Sequence, residues 1–290
     1  PPGVINIITG LGSETGRALA EHPAIDKLSF TGSTPVGRTV AHAAAEGIKA
    51  CTLELGGKSP NIVFADCDLD AAVEGALWAI FLNAGQVCTA GSRLLLQEGI
   101  YDDFMQRLER AARQIPIGDP MDRKTRMGPL VSARQYASVT KFIQGAVADC
   151  ATLRTGGARP KGLTKGYYVA PTIFEKVRPD ATINREEVFG PVLVVHRFRD
   201  EAQAVAMAND SPYGLAAGLW TNNLSRAHAL ARRIEAGTVW INTFNMVFSN
   251  IPNPGFKQSG LGSELGKEWF ESYTKIKNIC VNLNNPKTNP

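Results

Sequence analysis

The sequence has no strong charge of one sign, no cysteine framework and no histidine cluster, and each lack removes a class of function. Thirty-one basic residues against 27 acidic ones leave a formal charge of +4 over 290 residues. That is too little to argue for nucleic acid or an anionic membrane surface. The five cysteines, Cys51, Cys67, Cys88, Cys150 and Cys280, are odd in number and irregularly spaced, with no Cys-x-x-Cys. Reduced thiols in a cytoplasmic compartment are expected rather than disulfides. The four histidines, His22, His42, His196 and His228, form no close ligand pair, so no metal site is expected. The longest uncharged runs are 75–92 and 236–256. The second is broken by four asparagines, at 242, 245, 250 and 253, and by Pro252 and Pro254, all costly in lipid, so no transmembrane helix is expected. The opening Pro1-Pro2-Gly3 lacks a basic n-region and an apolar h-region, so no signal peptide is expected either. There is no internal repeat and no low-complexity tract.

Against these lacks stands an ordinary globular composition, 44% apolar and 20% charged, in a chain long enough to bury a sizeable core in one large domain or two smaller ones. The dominant pattern is strand alternating with helix. β-Branched or apolar runs at 4–9, 28–30, 49–55, 61–65, 93–97, 172–177, 192–198, 216–220 and 238–241 read as strands. Runs at 34–46, 69–83, 101–114, 133–150, 201–208 and 224–235 read as helices. In the helical run that begins at Leu69, residues Val73, Ala76, Leu77, Ile80 and Phe81 fall on one face and predict an amphipathic helix. The alternation predicts an α/β fold with a largely parallel sheet. The strand-like segment 275–283 needs a partner, which another subunit could supply. A strand so close to Pro1, with no element before it to pack against, suggests a sequence that begins inside a domain.

Several motifs carry chemistry, and each also has a plainer reading. Cys88 lies in Gly85-Gln86-Val87-Cys88-Thr89-Ala90-Gly91-Ser92-Arg93, a turn rich in small residues just past a helix. A free cysteine is more often a buried structural thiol, but this placement favours a nucleophile. Glu54 lies between Leu53 and Leu55 ahead of Gly56-Gly57. Most glutamates at strand ends are salt-bridged, but apolar neighbours would raise this one toward the range of a base at neutral pH. Gly10-x-Gly12-x-x-x-Gly16 sits between a strand and a helix, as a phosphate-binding turn would. Its spacing is one residue too long for the dinucleotide fingerprint, and read alone it is better taken as an ordinary turn. In Phe30-Thr31-Gly32-Ser33-Thr34, Ser33 reads first as a helix cap. Glu186-Glu187-Val188-Phe189-Gly190-Pro191 joins an acid able to hold ribose hydroxyls to an aromatic ring able to flank a heterocycle, though an acidic loop with one core Phe is the plainer account. His196, His228 and Arg232-Arg233 read as solvated or satisfied positions.

Taken together, Phe-Thr-Gly-Ser at 30–33, Leu-Glu-Leu-Gly-Gly-Lys-Ser-Pro at 53–60, Gly-Gln-x-Cys at 85–88, Glu-Glu-Val-Phe-Gly-Pro at 186–191 and Lys-Gln-Ser-Gly at 257–260 resemble the aldehyde dehydrogenase superfamily, in its order and over essentially the whole chain. The resemblance implies a partial Rossmann-like cofactor domain (1–56), an α/β catalytic domain (57–256) and a C-terminal segment with an oligomerisation strand (257–290). It implies NAD or NADP as cofactor, a small aldehyde as substrate, and a homodimer or homotetramer. Cys88 is then the nucleophile and Glu54 the base that activates water. Gly12, Gly32, Ser33 and Val36 are contacts to the cofactor's pyrophosphate and ribose. Leu55 is a nicotinamide neighbour, and Glu187 with Phe189 clamps the nicotinamide ribose. The implied reaction runs through a thiohemiacetal and a thioester on Cys88. The presence of Glu54 favours water over coenzyme A as the acyl acceptor.

The resemblance also has limits. The chain resembles only the C-terminal three-fifths of a member. The missing part would include the first half of the cofactor domain, the lysine that reads the adenosine ribose and the asparagine that completes the oxyanion hole; losing one such donor costs ~10²–10³ in rate. A truncated, non-catalytic assembly domain and a cofactor-independent residual esterase are therefore the alternatives. Two motifs depart from the family: Pro252-Asn253-Pro254-Gly255 stands for Pro-Phe-Gly-Gly, and Gly262-Ser263-Glu264-Leu265-Gly266 for Gly-Arg-Glu-Leu-Gly. Trp78, Phe244, Val247 and Phe248 are either pocket walls or core.

Overall fold

A computed structural model of the chain describes residues 1–283. Its centre is a seven-stranded sheet in the order Thr238–Ile241, Ala216–Trp220, Pro60–Val63, Arg93–Gln97, Val192–Phe198, Thr172–Glu175, Thr152–Thr155. Every neighbouring pair is parallel except the last, which is antiparallel. The middle strands are buried almost throughout, as expected of a parallel sheet covered on both faces. Side chains alternate between those faces. Val63, Leu94 and Leu96 join one core with the helices Leu69–Phe81 and Tyr101–Arg113. Ile62, Leu95 and Leu219 join a second core with Glu201–Asn209 and Leu224–Ala231. The α/β class and its parallel sheet are thus as the alternating pattern predicts.

A smaller three-stranded sheet precedes the large one in sequence. Lys27–Thr31 and Ala50–Glu54 pair in parallel, and Gly260–Leu261 returns from far along the chain to pair antiparallel with Leu53 and Glu54. The helix Thr34–Glu46 crosses between the first two strands.

Three expectations are corrected. Residues 4–9 form no strand: Ile5 and Ile7 are exposed, and residues 1–14 are exposed throughout. A β-branched run becomes a strand only where a neighbour takes up its backbone groups, and none does so here among the described residues. Second, residues 275–283 form no strand within the single chain, with Ile276, Ile279, Val281 and Leu283 exposed, so the expected pairing is one that only another subunit could complete. Residues 284–290, the end of the expected C-terminal segment, lie outside the described residues. Third, the helix beginning at Leu69 stops at Phe81 rather than Asn83, because Asn83, Ala84 and Gly85 all adopt left-handed backbone (φ 51°, 54° and 72°). The predicted apolar face of that helix is buried apart from Leu77, which is half-buried. No helix among the described residues is long and apolar enough to cross a membrane.

Arg93 joins the layers. It opens a central strand with its side chain buried, and its guanidinium donates to the carbonyls of Lys58 (2.9 Å), Met207 (2.8 Å) and Ala208 (2.8 Å). The last two belong to the final turn of Glu201–Asn209, where carbonyls have no partner within the helix and a cation is favoured. Replacing Arg93 with Met leaves three carbonyls without this donor, two of them in buried hydrogen bonds and one part-buried. The expected loss is about 3–5 kcal/mol of folding stability, read as a shift in the urea midpoint at unchanged slope. A shift corresponding to less than about 1 kcal/mol would show that the arginine does not hold these layers together.

Candidate active site

The site is assembled where three runs meet at Gly56-Gly57. A Cβ on Gly56 would lie 2.4 Å from Glu187 Oε2, and one on Gly57 would lie 2.4 Å from the carbonyl oxygen of Cys88. Only residues without side chains allow the segment after Glu54, the thiol loop and the acidic loop to approach so closely. Hydrogen bonds fix the crossing. Gly57 N–H donates to Glu187 Oε1 (3.2 Å), Leu55 N–H to the Ser259 carbonyl (2.8 Å), and Ser259 Oγ to the Gly56 carbonyl (2.7 Å).

Glu54 ends its strand between Leu53 and Leu55, both buried. One carboxyl oxygen, Oε1, is buried with no hydrogen-bond partner. Burial is the main reason its pKa is pushed up to about 7. The neighbouring Glu264 carboxylate adds to the rise, and the Glu264 backbone N–H, which donates to Glu54, opposes it. Glu264 is itself held at Oε1 by Ser29 Oγ and Thr52 Oγ1, each at 2.7 Å. The sequence reading attended to Ser263 in this turn and missed the acid beside it. The acid's link to Glu54 exists only because Gly260–Leu261 folds back onto Leu53–Glu54.

Cys88 lies seven residues past Phe81. The left-handed turn at 83–85 redirects the chain, and Gly85 passes so close to the Gly190 carbonyl that a Cβ would sit 2.0 Å from it. Thr89 Oγ1 donates to Asn245 Oδ1 (2.8 Å) and fixes the loop beyond the thiol. The thiol pKa is raised, first by burial, then by the Glu187 carboxylate and, more weakly, by Glu54. The Thr89 backbone N–H opposes the rise. The thiol and both acids singled out from sequence therefore share one electrostatic environment.

The acidic loop is held by a helix that the sequence reading did not connect to the site. At the start of Ala133–Ala148, Gln135 Nε2 donates to the carbonyls of Val188 (3.2 Å) and Phe189 (2.8 Å), while Val131 N–H just before it donates to Gln86 Oε1 (2.9 Å). The helix start thus ties the thiol loop to the acidic loop, and Phe189 is held in left-handed backbone (φ 52°). Glu187 is pushed up to about 7 by burial, against the pull of the Gly57 N–H and the Lys58 ammonium.

The remaining predicted cofactor residues divide. Gly32 N–H donates to the Glu54 carbonyl (3.0 Å), and Leu55 packs against Gly37 of the helix Thr34–Glu46, so Gly32, Ser33, Val36 and Leu55 lie beside the base. Gly12 stands apart in an exposed single turn, Gly12–Gly16, with open space around it. Ser33 does precede a helix but makes no side-chain cap bond, which corrects the capping expectation. Of the candidate pocket residues, Phe244 is core against Trp240, whereas Trp78, Val247 and Phe248 are about half exposed. His196 is satisfied, paired with Asn184 Oδ1 at 2.8 Å. The residues present suit a dinucleotide. Gly32, Ser33 and Val36 are exposed at a helix N-terminus that lacks a side-chain cap, and Glu187, with one hydrogen bond accepted at Oε1, keeps acceptor capacity for hydroxyls.

Comparison with known proteins gives one consistent result. The sequence profile of the aldehyde dehydrogenase family matches residues 1–279. An aldehyde dehydrogenase of Emericella nidulans is 48% identical over 284 residues, covering 98% of this chain and 57% of the relative. The crystal structure of an NAD-dependent aldehyde dehydrogenase from Sinorhizobium meliloti superposes with a TM-score of 0.95 at 44% identity, covering 99% of this chain and 57% of that one. An NAD⁺ complex of an aldehyde dehydrogenase from Bacillus cereus superposes at 0.92 with 45% identity, covering 95% of this chain and 56% of that one. The chain therefore spans somewhat over half the length of the proteins it matches.

The elevated Glu54 sets a pH test of stability. A carboxyl whose folded pKa of about 7 lies above its unfolded value near 4.3 binds its proton more tightly when folded. Its contribution is therefore fully present below about pH 4.3 and is lost as pH rises through 7. Glu54→Gln removes this loss, so the variant should exceed the wild type by about 1–3 kcal/mol at pH 8. The two should converge toward pH 4.5, as read from denaturant midpoints across that range. Equal stability at pH 8 would mean that Glu54 titrates as an ordinary carboxylate.

Proposed function

The chain belongs to the aldehyde dehydrogenase family, and on that premise we propose that it carries the thiol chemistry of an NAD(P)⁺-dependent oxidation of an aldehyde to a carboxylic acid, with Cys88 as nucleophile and Glu54 as the base for water. The observation that carries this reading is the crossing at Gly56-Gly57, which puts a thiol under the influence of two carboxyl groups that titrate near neutrality.

In this mechanism the Cys88 thiolate adds to the aldehyde carbon and forms a thiohemiacetal. Gly32, Ser33 and Val36 would hold a nicotinamide dinucleotide at its pyrophosphate and ribose side, Leu55 would neighbour its nicotinamide, and Glu187 with Phe189 would clamp the nicotinamide ribose. When bound, the dinucleotide supplies the acceptor for the two electrons whose loss makes the acyl group a thioester. Glu54, with a pKa of about 7, then accepts a proton from water as the oxygen attacks the thioester carbon. The carbon–sulfur bond breaks, the carboxylic acid leaves and Cys88 is restored. We assign residues 1–56 to the cofactor side and 57–256 to the thiol side. We place the protein in the cytoplasm, a reading supported by five free cysteines. We propose a homodimer or homotetramer, which the exposed Ile276, Ile279, Val281 and Leu283 support. A second reading, cofactor-independent ester hydrolysis by Cys88 and Glu54, is supported by the raised Glu54 carboxyl acting on the Cys88 thiol, a pair that needs no cofactor contact.

The expected outcomes separate the two. With a short aliphatic aldehyde and NAD⁺ or NADP⁺, the protein forms reduced cofactor, and Cys88→Ala lowers the rate by about 10⁴-fold or more. Retained oxidation in that variant overturns the assignment of the nucleophile. Glu54→Gln should slow deacylation by about 10²–10⁴-fold and leave an acyl adduct on Cys88 visible by intact mass. If an activated ester is hydrolysed through Cys88 while neither cofactor supports oxidation, the second reading describes this chain.

A further inference from the structure

Lys58 is the largest fully buried polar side chain of the described residues. It is 1% exposed, and its ammonium nitrogen has no hydrogen-bond partner. Lysine is almost never fully buried without a charge partner, and an orphaned ammonium calls for an explanation. Its place in the chain supplies one. Lys58 follows Gly57, whose N–H holds Glu187 Oε1, and its own carbonyl is pinned by Arg93 Nε, so its backbone is fixed on both sides of the crossing.

The charged and titratable groups around it come from several elements. Arg93 repels it from the strand Arg93–Gln97. Glu187 and Glu186 attract it from the loop after Thr182–Arg185. His196, on Val192–Phe198, is kept neutral by burial and by the charges of Arg93 and Lys58. Tyr213 feels Glu187 and Glu186 rather than Lys58. Glu235, which shares a small cavity wall with Lys58, is engaged by Lys257 at 2.6 Å. Glu186 is exposed and Glu187 is not, so Glu187 is the anion with which the buried ammonium interacts under the least screening. Glu54 does not feel Lys58: the causes acting on it are burial and Glu264.

We propose that Lys58 is a positioning residue for Glu187, its buried ammonium serving as the counter-charge that keeps the Glu187 carboxylate ionised against Gly57 and ready to accept two hydroxyl hydrogen bonds. Burial alone drives both groups toward their neutral forms, Glu187 upward and Lys58 downward, and each resists the other's neutralisation. The use of this pair in cofactor binding rests on the reading of Glu187 as a ribose clamp. The pairing itself does not.

The test needs neither cofactor nor turnover, so its failure is distinct from failure of the dehydrogenase reading. The 290-residue chain is labelled with ¹³C at the glutamate side-chain carboxyl, Glu187 and Glu54 are assigned from Glu187→Gln and Glu54→Gln, and both are titrated by NMR. In Lys58→Met the Glu187 midpoint should rise by about one pH unit while that of Glu54 stays in place. Lys58→Arg should restore Glu187. A merely structural lysine would shift both carboxyls or neither. The reciprocal arm decides the matter if Lys58→Met does not fold. With ¹³C at the lysine ε carbon, the Lys58 midpoint should fall in Glu187→Gln by about one pH unit, the reciprocal of the shift expected at Glu187. Unmoved midpoints in either folded variant overturn the proposal.

Discussion

The site depends on a steric constraint, the contact of three chain segments at Gly56 and Gly57. The atoms that a Cβ would strike there are a carboxylate oxygen and a backbone carbonyl. A carbonyl cannot swing away as a flexible side chain can, so a methyl group at Gly57 would displace the Cys88 loop itself. The rest of the site is arranged around this contact. Ser259 anchors Leu55 and Gly56 from one side, Arg93 anchors Lys58 from the other, and Gln135 secures the acidic loop from above. Glu54, Cys88 and Glu187 come from runs far apart in sequence, and what brings them together is largely two residues with nothing to pack.

Close approach has an electrostatic consequence. Glu54 and Glu187 are both driven to about 7, chiefly by loss of water, and the Cys88 thiol is raised as well. In a polar surface cleft the same residues would titrate near their ordinary values. Burial of acids is tolerable only where something offsets it. At Glu54 the offset is a single backbone N–H from Glu264, and at Glu187 it is the Gly57 N–H and the Lys58 ammonium. The two carboxyls thus reach a similar pKa for different reasons. Glu54 has one oxygen without a partner and is suited to exchanging a proton. Glu187, held by a donor and a counter-charge, is suited to remaining an acceptor.

Much of this was legible in the sequence. The helix at 69–81 and the buried middle strands follow from apolar periodicity, and the grouping of Glu54, Cys88 and Glu187 from the family resemblance that their motifs carry together. What could not be read depends on segments that meet only in three dimensions. Glu264 reaches Glu54 because a two-residue strand returns across some 200 positions, and Gln135 touches Val188 and Phe189 from a helix with no motif of its own. Local propensity overreached near the N-terminus, where residues 4–9 have β-branched character but form no strand with the other described residues. Ser33 was misread for the opposite reason: it has the right type and place for a cap, yet no side-chain cap bond forms.

The coupling among the three acids also constrains how the thiol can be activated. Ionising Cys88 while both carboxylates are charged puts three negative charges in one poorly solvated volume, which its raised pKa reflects. Moving the thiol proton to Glu54 avoids this, because the number of buried charges is unchanged and one like-charge repulsion is replaced by a neutral acid. On the proposed reading, the reactive form is one in which the thiolate coexists with a protonated Glu54. In the proposed mechanism Glu54 must lose that proton again before it accepts one from water, and the acid that acts on it is Glu264, held by Ser29 and Thr52. A carboxyl with a pKa of about 7 is matched to both demands: an ordinary surface glutamate would hold the thiol's proton too weakly, and one raised several units further would not release it at neutral pH.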